Sequence, residues 1–321
     1  VRNSSGVIVK STHSTNATNT AFFNTESTNA TFYKCTDEDS GWDLASNFNS
    51  KGTKWVDCVS IRPKRHGFST DNGDGVQFIR CHVIDNGGYL NEGSDAFHFE
   101  GDSLYQKRFV GTMNGCTATY TDEHIVLTDP TYKSLLRAFR SENYYKSSVE
   151  GLTIEAEPLM QAALEDNQML LLGDSRQDQN TITPSTTVND LVLDFGVLQV
   201  SAQAGIINNP KGGFVVRKTG YSGSVRIVNP DLNATSNTEN FGKPLVDAVG
   251  GVQIRDVHIE GGTISNYGSI LSRVSRDCSC SAKLINISNP FNISVADTSD
   301  ANALNQRVKI TGYCENVTGI Y

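Results

Sequence analysis

Phe32-Tyr33-Lys34-Cys35, Trp55-Val56-Asp57-Cys58 and Phe78-Ile79-Arg80-Cys81 are one phrase written three times: an aromatic residue, two spacers, then cysteine. From Cys35 to Cys58 is 23 residues, and from Cys58 to Cys81 is 23 again. Fixed self-similarity at about 20–50 residues marks architectures in which one unit stacks on the next, because a single unit cannot bury its apolar face alone. With the aromatic position as zero, Met113 and Cys116 follow after an insertion. Val149 and Leu152, Val188 and Leu191, and Ile254 and Val257 then fit with aliphatic pairs. Position plus five reads Asp37, Ser60, Val83, Ala118, Ile154, Leu193 and Ile259, turning apolar along the chain. Position plus two reads Lys34, Asp57, Arg80, Gly115, Gly151, Asp190 and Asp256, which leans towards residues that tolerate a bend. A short strand, a tight bend and a second strand account for this, with zero, plus three and plus five facing inward. The expectation is an all-β chain, a parallel β-helix with coils of about 23 residues and loop or helix insertions.

The composition agrees. Of 321 residues, 37% are hydrophobic and 19% charged, and Asn, Ser, Thr and Gly fill much of the rest, as many short strands and turns require. No apolar run approaches the roughly 18 residues of a membrane span, so no membrane insertion is expected. No leader is visible. The chain starts at Val1, which suggests a processed product or a fragment. A net charge of −8 argues against a general nucleic-acid partner, which needs a basic face. Of seven cysteines, four fall on the repeat and are expected as free, buried packing residues. Cys278-Ser279-Cys280 is too close for an easy mutual disulfide and lacks a second pair for zinc. No metal and no cofactor is expected.

Along the chain, residues 1–30 are an N-terminal lead-in or first coils, with the option of continuing from a missing part. Residues 31–265 form the β-helix, and 266–321 are further coils or a C-terminal β region. Asn3, Asn16, Asn29, Asn233, Asn286, Asn292 and Asn316 head Asn-x-Ser/Thr triplets, as a chain rich in Asn and Thr will by composition. Residues 121–147 break the rhythm, with 132–145 reading as a short helix or an excursion, and 158–172 reads as another helix-leaning insertion; such excursions often wall a groove.

Phe78-Ile79-Arg80-Cys81-His82-Val83-Ile84-Asp85-Asn86, Ile254-Arg255-Asp256-Val257-His258-Ile259-Glu260-Gly261 and Asp95-Ala96-Phe97-His98-Phe99-Glu100-Gly101 resemble repeats of the right-handed parallel β-helix superfamily. That superfamily includes pectate lyases, polygalacturonases and bacteriophage tailspike depolymerases, and the tailspikes look closest. The resemblance implies a homotrimer, virion-borne or extracellular, that binds and usually cleaves a bacterial surface polysaccharide. Arg62-Pro63-Lys64-Arg65 only approximates the pectate-lyase phrase, and the polygalacturonase series is absent in its order. A non-catalytic glycan-binding or fibre module, and a secreted bacterial lyase or hydrolase, are the other readings.

Glycoside hydrolysis needs two carboxyl groups about 5–5.5 Å apart for retention or 6.5–9.5 Å for inversion. If Phe97 and Phe99 face the core, His98 and Glu100 lie outward. The catalytic candidates are therefore Glu100 and Asp102 with His98, joined by Asp122 and Glu123 from the next irregular segment. The connection Arg62, Lys64, Arg65 and His66 is the candidate clamp for an acidic sugar, which would make a lyase possible. Tyr89 and Tyr105, with Trp42, Tyr144 and Tyr145, are candidates for stacking on sugar rings.

Overall fold

The structure, a computed structural model, describes residues 1–87, 94–101, 109–123, 136–142, 146–160, 170–171, 179–186, 191–194, 204–208, 210–212, 214–219, 224–234, 244–249, 257–272, 278–288, 291–292 and 308–318. The first coil holds β1 (Ile8–Lys10), β2 (His13–Thr15) and β3 (Phe22–Thr25). The next holds β4 (Thr31–Tyr33), β5 (Thr36–Glu38) and β6 (Ala45–Phe48). Then come β7 (Lys54–Val56), β8 (Val59–Ile61), β9 (Phe68–Asp71), β10 (Val76–Ile79), β11 (His82–Ile84) and β12 (Ser94–Glu100). They are followed by β13 (Val110–Asn114), β14 (Thr117–Tyr120), β15 (Leu136–Glu142) and the long β16 (Lys146–Ala156). Every third strand pairs, always in parallel: β1–β4–β7–β10–β13, β2–β5–β8–β11–β14 and β3–β6–β9–β12–β15. β16 continues the first two ladders at once. The ladders run on through Val257–Glu260, Cys278–Cys280 and Val308–Ile310, through Thr263–Ser265, Lys283–Ile285 and Cys314–Glu315, and through Ser269–Ser272 and Phe291–Asn292. The chain is thus all-β with long parallel sheets, compatible with a β-helix or solenoid. Residues 1–30 already contribute paired strands.

Phe32, Trp55, Phe78, Met113 and Val149 occupy consecutive rungs and are all buried. Phe32 and Trp55 stack face to face, with ring centroids 3.8 Å apart. Cys35, Cys58, Cys81 and Cys116 are free and buried. The Cys35 amide donates to the Cys58 sulfur (3.4 Å) and the Cys81 amide to the Cys116 sulfur (3.4 Å), while each thiol reaches a strand carbonyl. The cysteines therefore fill the bend between two strands and partly satisfy its backbone. Position plus two is the bend itself: Lys34, Asp57, Arg80, Gly115 and Gly151 all have φ between 48° and 62°. The left-handed backbone explains why the sequence varies there between Gly and polar residues.

Two expectations fail. First, the frame beyond Val149 slips. Val149 pairs with Ile182, and that rung continues through Ile207, Ile227 and Ile259 to Cys280. Ile259 is therefore at zero, not plus five, and Leu191–Asp194 belongs to the third ladder beside Phe214–Thr219. Val188 and Ile254 lie outside the described residues. The slip has a simple cause. Positions minus two and zero both point inward, so Val257-x-Ile259 can be read as either pair. In the corrected frame, plus two is Asn229 (φ 49°) and Gly261 (φ 64°), so the bend rule still holds. Second, the excursion at 132–145 contains β15, a strand paired along Ser94–Glu100, because its Phe139 supplies the next core rung. The 158–172 stretch has one helical turn at 158–160 and a short strand at Leu170–Leu171. Among the described residues, no helix is long and apolar enough to cross a membrane.

Candidate functional site

The third ladder sets the site. Phe68, Phe97 and Phe139 are successive rungs, and each is fully buried. Strand periodicity turns the adjacent positions to the other face: Ser69, His98 and Arg140 on one rung line, and Asp71 and Glu100 on the next. Asp71 and Glu100 are direct register partners on neighbouring parallel strands. They line a groove of ≈ 610 Å³ with Asn19, Phe23, Trp42 and Arg65. Phe23 and Trp42 are 48% and 46% exposed, unusual for residues of that size.

A buried aspartate holds the groove wall. The Arg65 guanidinium forks Asp43 through Nε–Oδ1 (3.1 Å) and Nη2–Oδ2 (3.0 Å), and it lies 4.6 Å from the Trp42 ring centroid. Asp43 also accepts the His66 amide (3.1 Å) and the Ser69 hydroxyl (2.9 Å). One carboxylate thus joins the connection before β9 to β9 itself and presents the indole to solvent.

Behind the groove floor lie His66, Asp95 and His98, all buried. His66 Nδ1 is 3.3 Å from Asp95 Oδ2, and His98 Nδ1 is 3.7 Å from the same oxygen. Arg137 Nη1 is 3.6 Å from Asp95 Oδ1. His66 Nδ1 accepts the Asp95 amide at 3.0 Å, which fixes that ring as neutral. Burial, helped by His98, Arg65 and Arg140, pushes the His66 pKa well below the usual imidazole value. Burial also lowers His98, against the opposing pull of Asp95 and Glu100.

The predicted residues divide as follows. Glu100 lies in the groove with its side chain half exposed, and its Oε2 is 3.9 Å from His98 Nδ1. His98 takes the outward rung as expected but is covered rather than exposed. Asp122 serves the backbone: its Oδ1 accepts the amides of Leu159 (2.9 Å) and Met160 (3.0 Å), an N-cap for the turn at 158–160. Glu123 is exposed. Arg62 is held by Asp39 (2.8 and 3.0 Å) and Glu38 (2.5 Å), and its guanidinium keeps Asp39 below the usual carboxylate value. Arg65 is thus held on Asp43, His66 is buried, and Lys64 is exposed. The carboxylate clamp read from these residues is therefore replaced by rung-to-rung ion pairs. Asp102, Tyr89, Tyr105, Tyr144 and Tyr145 lie outside the described residues.

Asp43, Asp71 and Asp95 are not among the site residues expected from the sequence. A signal for Asp71 exists: Phe68-x-x-Asp71, Phe97-x-x-Glu100 and Phe139-x-x-Glu142 are one phrase, an aromatic residue followed three positions later by an acid. Unequal loops between the occurrences hide its period. Asp43 and Asp95 carry no such mark. No family model, curated protein or solved structure matches this chain.

Proposed function

We propose that the chain is a right-handed parallel β-helix of the tailspike type that binds a bacterial surface polysaccharide in this groove and hydrolyses it. The carrying observation is the pairing of Asp71 with Glu100 on a groove floor flanked by exposed Phe23 and Trp42. Neighbouring strands are about 4.7–4.9 Å apart. Two carboxyl groups on the same face of adjacent rungs therefore fall near the separation of a retaining glycosidase. In this reading Asp71, the shorter acid, attacks the anomeric carbon. Glu100, open to solvent, protonates the leaving oxygen and then activates water. Trp42 offers its face to a sugar ring, with Arg65 fixing its plane from behind.

The ion pairs of Arg62 and Arg65 favour hydrolysis over elimination. An elimination needs free cations to acidify the proton next to a sugar carboxylate, and these two are already matched by Glu38, Asp39 and Asp43. Assembly as a homotrimer on a virion or in the extracellular space belongs to the same proposal. Incubation with capsule or lipopolysaccharide from candidate hosts, with chain length followed by size exclusion, tests it. Glu100→Gln and Asp71→Asn are expected to lower turnover by about 10²–10⁴-fold while glycan binding persists. Undiminished cleavage by both variants would place the chemistry elsewhere. A monomeric native mass would remove the trimer.

A further inference from the structure

The geometry points to a second site behind the groove: one transition-metal cation of the zinc class, bound by His66, Asp95 and His98. Three observations carry this independently of the glycan reading. The ligating atoms of these three residues all lie within 4.8 Å of one another, and all three residues are buried. Ligands about 2.0–2.2 Å from a tetrahedral zinc sit roughly 3.3–3.6 Å apart. The contacts of Asp95 Oδ2 with His66 Nδ1 (3.3 Å) and His98 Nδ1 (3.7 Å) are close to that edge length.

The second observation is the state of the carboxylate. Asp95 is 0% exposed, and neither of its oxygens has a hydrogen-bond partner among the described residues. Burying a carboxyl group without partners is unfavourable, and native chains ordinarily match it with a positive partner. Arg137 approaches Oδ1 at 3.6 Å, without hydrogen-bond geometry. Oδ2 is the oxygen turned to the imidazoles.

The third observation is lone pair against lone pair. His66 Nδ1 accepts the Asp95 amide, so no proton stands between it and Oδ2 at 3.3 Å. Two acceptors that close repel unless a cation joins them. On metal binding, His66 Nδ1 exchanges its amide bond for the cation. Asp95 then bridges the cation through Oδ2 and Arg137 through Oδ1, the supporting arrangement usual for ligating carboxylates. The surrounding charges are Arg65 matched by Asp43, Arg137 on Asp95, and Arg140 and Glu100 on the outward rungs. Two imidazoles and one carboxylate select a borderline cation; calcium and magnesium prefer all-oxygen shells. The cation ties the connection before β9 to β12 directly beneath Glu100.

The test uses the full chain, stripped with chelator and dialysed. Cobalt(II) is expected to bind at one equivalent per chain with a visible d–d band, and zinc to displace it and raise Tm by mass action. His98→Gln and Asp95→Asn, checked for folding by circular dichroism, are expected to lose both the band and the Tm response. X-ray absorption on the zinc-loaded wild-type chain is expected to show two imidazoles with oxygen ligands, which keeps the test open if either variant fails to fold. Absence of stoichiometric cobalt or zinc on the wild-type chain overturns the proposal, as does retention of the site in both folded variants or a shell containing sulfur.

Discussion

Asp37 shows how one residue can oppose the ladder it belongs to. It stands at plus five, between Ser14 and Ser60 on neighbouring rungs, where later coils carry Val83, Ala118 and Ile154. Its carboxyl is fully buried, with neither oxygen in a well-formed hydrogen bond. Burial raises its pKa above 3.8, against the hydroxyls of Ser40 and Ser14. The folded chain therefore holds this proton more tightly than the unfolded chain. Its contribution to stability falls as pH rises from about 3.8 through the raised value. Asp37→Val is expected to gain about 1–3 kcal/mol at neutral pH in urea unfolding and to lose that pH slope. An unchanged midpoint would mean that the carboxylate is satisfied in solution. Trp42→Ala, on the surface, is expected to raise KM for the glycan with little change in Tm, measured by turnover and thermal melting.

At the level of elements, bends decide more than strands do. Gly262 has φ 69°, and a Cβ there would lie 2.1 Å from the Pro230 carbonyl oxygen on the neighbouring coil. Two backbones meet at this point, so no side chain can rotate away. Gly262→Ala is expected to cost more than about 2 kcal/mol by denaturant titration, whereas Gly6→Ala, with open space around its Cβ position, costs only the strain of its positive φ. The asparagines of several Asn-x-Ser/Thr triplets find their reason here as well. Asn286 and Asn316 are left-handed bend residues, and Asn233, Asn266, Asn286 and Asn316 form an amide-to-amide ladder at 2.6, 3.0 and 3.1 Å.

Across the whole molecule, each coil touches mainly its neighbours, so stability is close to a sum of coil and interface terms. Trp55 sits in the middle of the aromatic stack, with Phe32 on one side and Phe78 on the next rung. Trp55→Ala is expected to cost about 3–5 kcal/mol. Amide exchange should quicken first in β4, β7 and β10, while Val257–Glu260 stays protected. Uniform loss of protection along the chain would show a single cooperative core instead.

The sequence by itself determined the repeat, the inward positions and the bend at plus two over residues 31–152. There the apolar pair three residues apart recurs, at 23 residues and then, past an insertion, at 35 and 36, and a period of two assigns the faces. It also placed Glu100 on the outer face, from Phe97 and Phe99. Tertiary structure alone decided three things. It set the register beyond Val149, because unequal loops erase the period and two inward pairs look alike. It matched Arg62 and Arg65 to Asp39 and Asp43, which are 23 and 22 residues earlier in the chain and one rung away in space. It brought His66, Asp95 and His98 together, since pairing of β9 with β12 closes a loop whose length no local pattern records.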